Sequence, residues 1–260
     1  YYDPNKSCDL EDILETKVFA ELELVRAESL KNALIDNELS KYNLGVSFTK
    51  DSLVIEPNQR LILIPGQVED DASIKKGCID INTNLALIKS VRKDNPDAFL
   101  IYKPHPDVVS GNRKGKVDKL VTDTDCNIVL SDASITDCLA VVDEVHTMTS
   151  LVGFEALMRE LKVVCYGIPF YSGWGLTEDF HNVERRTRKL KLNELVHATL
   201  IDYPLYMDWE TSTLTSPEVV VEQLKRQIEQ QGGKQSNKVF WIARFMRKIK
   251  NYINGTLLSR

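Results

Sequence analysis

The 260 residues are 43% hydrophobic and 27% charged, a globular composition that excludes disordered, collagen-like and fibrous chains. No apolar run reaches the roughly 20 residues of a membrane span, and Tyr1 opens the chain with no charged-then-apolar leader, so it reads as a piece of a longer protein. The net charge of −5 is uneven: 231–260 holds seven basic residues and no acid, leaving 26 basic against 38 acidic elsewhere, an acidic body that argues against nucleic acid as a partner.

In chain order, 9–16 and 18–39 carry apolar residues at spacings of three and four, among them Leu22, Val25, Leu30, Leu34 and Ile35. That periodicity predicts a helix pair, closed by the turn Tyr42-Asn43-Leu44-Gly45. The texture changes at Arg60. Leu61-Ile62-Leu63-Ile64 is wholly apolar and stops at Pro65-Gly66, as a strand buried on both faces does. Further strands are predicted over 98–102, 128–130, 144–149 and 163–166, alternating with helices over 84–91, 134–142 and 150–160. Helices over 192–200 and 216–230 close the body. Strands alternating with helices specify an α/β fold, a Rossmann-like parallel sheet with helices on both faces. No Gly-x-Gly-x-x-Gly or P-loop pattern occurs, so dehydrogenase and P-loop chemistry have no motif. The five cysteines are scattered, without metal-ligand or disulfide spacing, which fits a reduced, cytoplasmic protein and no metal site.

Ligands of such sheets bind beyond the carboxyl ends of the strands, and four unusual stretches fall there. The first, Gly66-Gln67-Val68-Glu69-Asp70-Asp71, crowds three carboxylates; mutual repulsion is expected to raise at least one pKa. It reads equally as reactive acid, base or nucleophile and as helix capping before Ala72. The second, Lys103-Pro104-His105-Pro106, fixes one imidazole between two prolines beside a lysine and suits a phosphate. The third is Thr147-Met148-Thr149-Ser150, opening a helix with Gly153 and Glu155 inside it. The start of that helix offers N–H groups and the Ser150 hydroxyl to an anion, while Gly153 admits a close neighbour and Glu155 reaches for a ribose hydroxyl. The fourth runs from Gly167 to Thr177 with three glycines and three aromatics, including Tyr171 and Trp174. Those rings could stack on a sugar or base, but packing beneath a loop is the favoured reading.

Taken in register, Gln67-Val68-Glu69-Asp70, Lys103-Pro104-His105-Pro106-Asp107, Thr149-Ser150-Leu151-x-Gly153-Phe154-Glu155-Ala156-Leu157 and Gly167-x-Pro169-Phe170-Tyr171-x-Gly173-Trp174-Gly175-Leu176-Thr177 resemble the bacterial capsule polysaccharide β-Kdo transferases of the KpsC type. Tyr1-Tyr2-Asp3-Pro4 and Ser7-Cys8-Asp9-Leu10-Glu11 add to the likeness, which spans about residues 1–180. The resemblance implies transfer of Kdo from CMP-Kdo with retention of configuration, building the poly-Kdo linker on the lipid anchor of capsular polysaccharide. It implies the nucleotide-sugar-binding half of a GT-B glycosyltransferase, needing no cofactor beyond the donor substrate. His105 and Ser150 would contact the CMP phosphate, with Lys103 and Thr149 beside them; Glu155 and Gly153 would serve the ribose and nucleotide. Asp70 would be the nucleophile and Glu69 an assisting acid/base, a choice the residues leave open, with Gln67, Tyr171 and Trp174 as sugar or loop candidates.

The expected organisation is a helical segment over 1–58 following an acceptor-side domain, a CMP-sugar-binding domain over 59–231, and a linker with a basic amphipathic helix over 232–260. Within that helix Ile242, Phe245, Met246, Ile249 and Ile253 share one face and Arg244, Arg247, Lys248 and Lys250 lie largely off it. Such a helix suits an anionic membrane surface, here through 238–253, and equally suits packing on the body. The expected partners are a CMP-sugar donor, a lipid-linked Kdo acceptor and other capsule assembly proteins, at the cytoplasmic face of the inner membrane. Two other readings remain open: a capsule transferase using another CMP-sugar, as sialyltransferases do, and a non-catalytic nucleotide-sugar-binding assembly module.

Overall fold

A computed structural model describes residues 3–40 and 47–230. The turn expected at 42–45, the linker and the basic segment of 232–260 lie outside the described residues. Six strands form one parallel sheet: β1 (Leu61–Pro65), β2 (Phe99–Lys103), β3 (Ile128–Val129), β4 (Glu144–Thr147), β5 (Lys162–Cys165) and β6 (Glu178–Asp179). They lie in the order β3-β2-β1-β4-β5-β6, all neighbours parallel. The chain works outward from β1 on one side and, starting again at β4, outward on the other, so the topological switch point falls between β1 and β4.

The parallel pairing explains the apolar runs. Alternate residues of each strand face opposite layers. Leu61, Leu63, Phe99, Ile101, Val145, Val163 and Cys165 join one core cluster, and Ile62, Ile64, Leu100, Tyr102 and Val164 the other. Both faces are covered, the doubly-wound α/β arrangement expected. β6 is an addition, because a two-residue strand leaves no periodic trace. The antiparallel hairpin of β7 (Tyr206–Asp208) with β8 (Thr213–Thr215) is another, short and without a buried face.

The helices are α1 (Asp9–Thr16), α2 (Glu21–Asp36), α3 (Ala72–Gly77), α4 (Asn84–Asp94), α5 (Pro106–Val109), α6 (Lys119–Asp125), α7 (Ile135–Val141), α8 (Leu151–Met158), α9 (Leu192–His197) and α10 (Pro217–Gln230). The helix expected from residue 18 begins at Glu21, because Lys17 to Ala20 run extended and the Glu23 carboxylate accepts the Ala20 N–H at 2.8 Å. Leu10, Leu14, Phe19 and Ala27 enter the same core cluster as β1 and β4. The described part of the segment expected over 1–58 therefore packs on the sheet and its closing helices. Where α2 meets α9 and the π-helical turn Ala198–Asp202, the Lys17 ammonium lies 2.8 Å from both Glu23 and Asp202, beside buried His197. No helix among the described residues is long and apolar enough to cross a membrane.

Candidate active site

The loops leaving β1 and β4 meet at the switch point through Gln67. Its carbonyl oxygen Oε1 accepts from the Thr149 N–H at 2.9 Å and the Thr147 hydroxyl at 3.3 Å, and its Nε2 donates to the Thr149 hydroxyl at 3.0 Å. Asn84, buried at the start of α4, fixes the other end. Its Oδ1 accepts the Gln67 N–H, and its Nδ2 donates to the Gln67 and Gly115 carbonyls, each at 2.8 Å. Gln67 is thus a buried strut, rather than a group held open to a sugar.

The three carboxylates part company. Asp71 caps α3, accepting the Ala72 N–H at 2.6 Å, as the capping alternative foresaw. Glu69 accepts the Asn84 N–H at 2.8 Å, in the first turn of α4. Asp70 receives the Arg113 guanidinium on a single oxygen: Nε at 3.2 Å and Nη2 at 3.0 Å both reach Oδ1. Hydrogen bonding and charge from Arg113 hold the Asp70 carboxyl below its usual range. For Asp70 the direction is thus opposite to a rise from crowding, because Arg113 supplies an opposing charge.

His105 caps α5, its Nδ1 accepting the Asp107 N–H at 3.1 Å. In the neutral ring this assigns the proton to Nε2, a donor for an anion. Lys103, the last residue of β2, turns inward. Its ammonium is buried and donates to the Ala133 carbonyl, and burial lowers its pKa. It ties β2 to the chain entering α7.

α8 begins as predicted. The Ser150 hydroxyl accepts the Val152 N–H at 3.2 Å, and the Ser150 N–H donates to the Thr147 hydroxyl at 3.2 Å. Glu155 is buried further along α8, where the Ser40 hydroxyl lies 3.0 and 2.8 Å from its two oxygens. Gly153 admits a protein neighbour: a Cβ there would lie 2.2 Å from the Tyr171 hydroxyl oxygen. Tyr171 and Trp174 are fully buried, a correction to their candidacy as sugar-stacking rings. Trp174 donates to the Phe170 carbonyl at 2.9 Å, and Tyr171 donates to the Ser150 carbonyl, so the aromatic loop braces the start of α8. Burial raises the Tyr171 hydroxyl well above its ordinary pKa.

The strand ends therefore bring together Gln67, Glu69, Asp70, Thr149 and Ser150, with His105 on the adjacent β2 exit. Sequence reading missed Asn84, Arg113 and Ser40. The one legible signal was the basic, glycine-flanked stretch Gly111-Asn112-Arg113-Lys114-Gly115, directly after the histidine motif.

The family model described as capsule polysaccharide biosynthesis protein matches residues 9–206. The chain is 44% identical over 251 residues to the capsule polysaccharide modification protein LipA of Neisseria meningitidis serogroup B, covering 96% of this chain and 35% of that protein. It is 43% identical over 208 residues to the lipopolysaccharide-processing protein LpsZ of Rhizobium meliloti, covering 79% of this chain and 47% of that protein. The chain thus spans between about a third and a half of these relatives. Two solved structures of Thermosulfurimonas dismutans KpsC are similar to it. The β-Kdo 2,7 transferase aligns with a TM-score of 0.73 at 38% identity, covering 87% of this chain and 68% of that one. The β-Kdo 2,4 transferase aligns with a TM-score of 0.77 at 30% identity, covering 86% and 70%. With the family match running from α1 to the start of β7 across all four strand-end stretches, the chain belongs to the capsule polysaccharide biosynthesis family, in company with the KpsC transferases.

Proposed function

We propose that this chain is the donor-binding part of a glycosyltransferase that transfers Kdo from CMP-Kdo with retention, extending a poly-Kdo linker on the lipid anchor of capsular polysaccharide. One observation carries the reading: the Gln67 strut sets the Asp70 loop beside the Thr149-Ser150 start of α8. A carboxylate kept ionised and a cluster of N–H and hydroxyl donors for a departing phosphate then share one switch point. The titles of the two solved neighbours, both β-Kdo transferases, support the choice of sugar.

On this reading the His105 Nε2–H, the Ser150 hydroxyl and the first N–H groups of α8 hold the CMP phosphate. Thr149 stays fixed by Gln67, and Lys103 supports the site from beneath. Glu155 takes a ribose hydroxyl at the carboxylate that Ser40 now contacts. Asp70 attacks the anomeric carbon, and the bond to the CMP phosphate breaks with its electron pair going to the phosphate. The acceptor hydroxyl then attacks the same carbon from the vacated side. The bond to Asp70 breaks, returning its pair to the carboxylate, and Glu69 takes the hydroxyl proton. Two inversions give retention. The basic stretch 238–253 would face the anionic membrane surface that carries the acceptor lipid.

Transfer from CMP-Kdo to a synthetic Kdo-lipid acceptor, in a protein carrying this chain, tests the reading. Asp70→Asn is expected to lower turnover by at least about a thousandfold, since loss of a nucleophile removes the covalent route. Mass spectrometry of the wild-type protein should trap a Kdo adduct on the Asp70 peptide. Near-normal transfer by Asp70→Asn sinks the mechanism.

A further inference from the structure

Resting on that donor reading, we propose that Arg113 recognises the carboxylate borne on the anomeric carbon of a keto sugar acid, and so makes the site selective for acidic donor sugars. Arg113 places two of its N–H groups on the same Asp70 oxygen, Oδ1. Asp70 Oδ2 is left out of that fork, and Arg113 Nη1 donates to no group among the described residues. Both side chains are well exposed, at 41% and 38%. The Asp70 oxygen outside the fork and the unused edge of the guanidinium thus belong to one ion pair.

The guanidinium is held there by its loop. The N–H groups of Asn112 and Arg113 both donate to the Asp107 carbonyl at 3.1 Å. The Lys114 carbonyl accepts from Glu69 N–H at 3.1 Å, and the Gly115 carbonyl from Asn84 at 2.8 Å. Gly115 makes the last turn at φ +131°, a conformation that side chains disfavour. The Arg113 loop is therefore bonded to the same Glu69 and Asn84 that position the candidate nucleophile.

The chemistry of the donor supplies the rest. A nucleophile about 3–3.5 Å from an anomeric carbon lies within one bond length of reaching that carbon's own carboxylate. That carboxylate and Asp70 carry like charges and repel, unless a cation lies between them. A planar fork that already holds one carboxylate can take the second along its other edge. A neutral aldose presents nothing to that edge. Kdo and sialic acids both carry the group, so Arg113 would separate acidic donors from neutral ones without separating those two.

Calorimetric titration of the chain with CMP, CMP-Kdo and the methyl ester of CMP-Kdo tests the proposal. Arg113→Gln should weaken CMP-Kdo by about 10- to 100-fold, the worth of one charged hydrogen-bonded contact, while CMP changes less than about twofold. The ester should bind wild type and variant alike, and Arg113→Lys should fall between. Because Arg113 is exposed, an unchanged far-ultraviolet spectrum is expected for both variants. Equal preference for acid over ester in wild type and Arg113→Gln overturns the proposal alone. A wild-type chain that binds neither CMP nor CMP-Kdo overturns the donor reading and this proposal with it.

Discussion

Between Val68 and Ala72 the chain turns out of β1 into α3, and the turn, closed by the Asp71 N–H on the Val68 carbonyl at 3.1 Å, sends three neighbouring carboxylates to three partners. Crowding in sequence is therefore not crowding in space. Two of the groups meet helix N–H groups, and Asp70 meets a guanidinium that favours its charged form. Gly153 shows the same dependence on a partner that sequence does not reveal. The glycine is required because the buried Tyr171 phenol lies against α8, with the ring carbon Cζ 2.7 Å and the oxygen 2.2 Å from a built Cβ. Gly153→Ala must push back a fully buried ring. It should cost about 1–3 kcal/mol in urea unfolding, the range of overpacked cores. Tyr171→Phe on that background should recover part of the loss by removing the nearest atom, although it also gives up the bond to Ser150. A Gly153→Ala variant within about 0.5 kcal/mol of wild type would show that α8 slides to make room.

At the scale of elements, α1 holds the aromatic loop in place through one buried ion pair. Arg186 donates to the Pro169 and Ser172 carbonyls at 2.7 and 2.8 Å and to Glu11 of α1 at 3.1 Å, and its guanidinium lies 5.6 Å from the centre of the Trp174 ring. Burial works to raise the Glu11 carboxyl, but Arg185 and Arg186 together hold it below its usual range. Glu11→Ala leaves the Arg186 guanidinium buried without its counter-charge. It should cost about 3–5 kcal/mol by urea denaturation, whereas Glu11→Leu with Arg186→Met should recover most of that, since a well-packed apolar pair avoids the desolvation. A double variant as unstable as Glu11→Ala would point to the carbonyl contacts of Arg186 as the main tie. This pair also explains why the aromatic loop was only half legible. Its position at the end of β5 follows from the run Val163-Val164-Cys165, but the inward turn of Trp174 depends on a helix far earlier in the chain.

Across the whole molecule, what was readable was what is local. The continuous apolar runs of β1, β2 and β5 identify buried parallel strands, and Ser150 identifies a helix start. Long-range pairs left no local mark: Arg113 reaches Asp70 across 43 positions, and Ser40 reaches Glu155 across 115. The same holds on the far half of β4, where His146 is buried with Nε2 3.2 Å from Glu144 Oε2 and Nδ1 3.3 Å from the Tyr166 hydroxyl. Glu144 in turn meets Arg60 at 2.6 Å and Lys162 at 3.5 Å. Burial lowers the His146 pKa below its ordinary 6.5, with Glu144 opposing and Lys162 and Arg60 assisting. In the unfolded chain the imidazole gains its proton near 6.5; in the folded protein it does so only at lower pH. Between those values the unfolded state binds more protons, so stability rises with pH and is lost on acidification through that window. The full contribution is present above about pH 6.5 and is gone below the depressed folded value. Urea midpoints at about pH 7.5 and about pH 5.5 should therefore differ more in wild type than in His146→Gln, which keeps a polar side chain but cannot titrate. The excess slope is bounded by about 1.4 kcal/mol per pH unit for one proton. Equal slopes in the two proteins would mean that His146 takes up its proton in the folded state as readily as in the unfolded chain, with Glu144 outweighing the cost of burial.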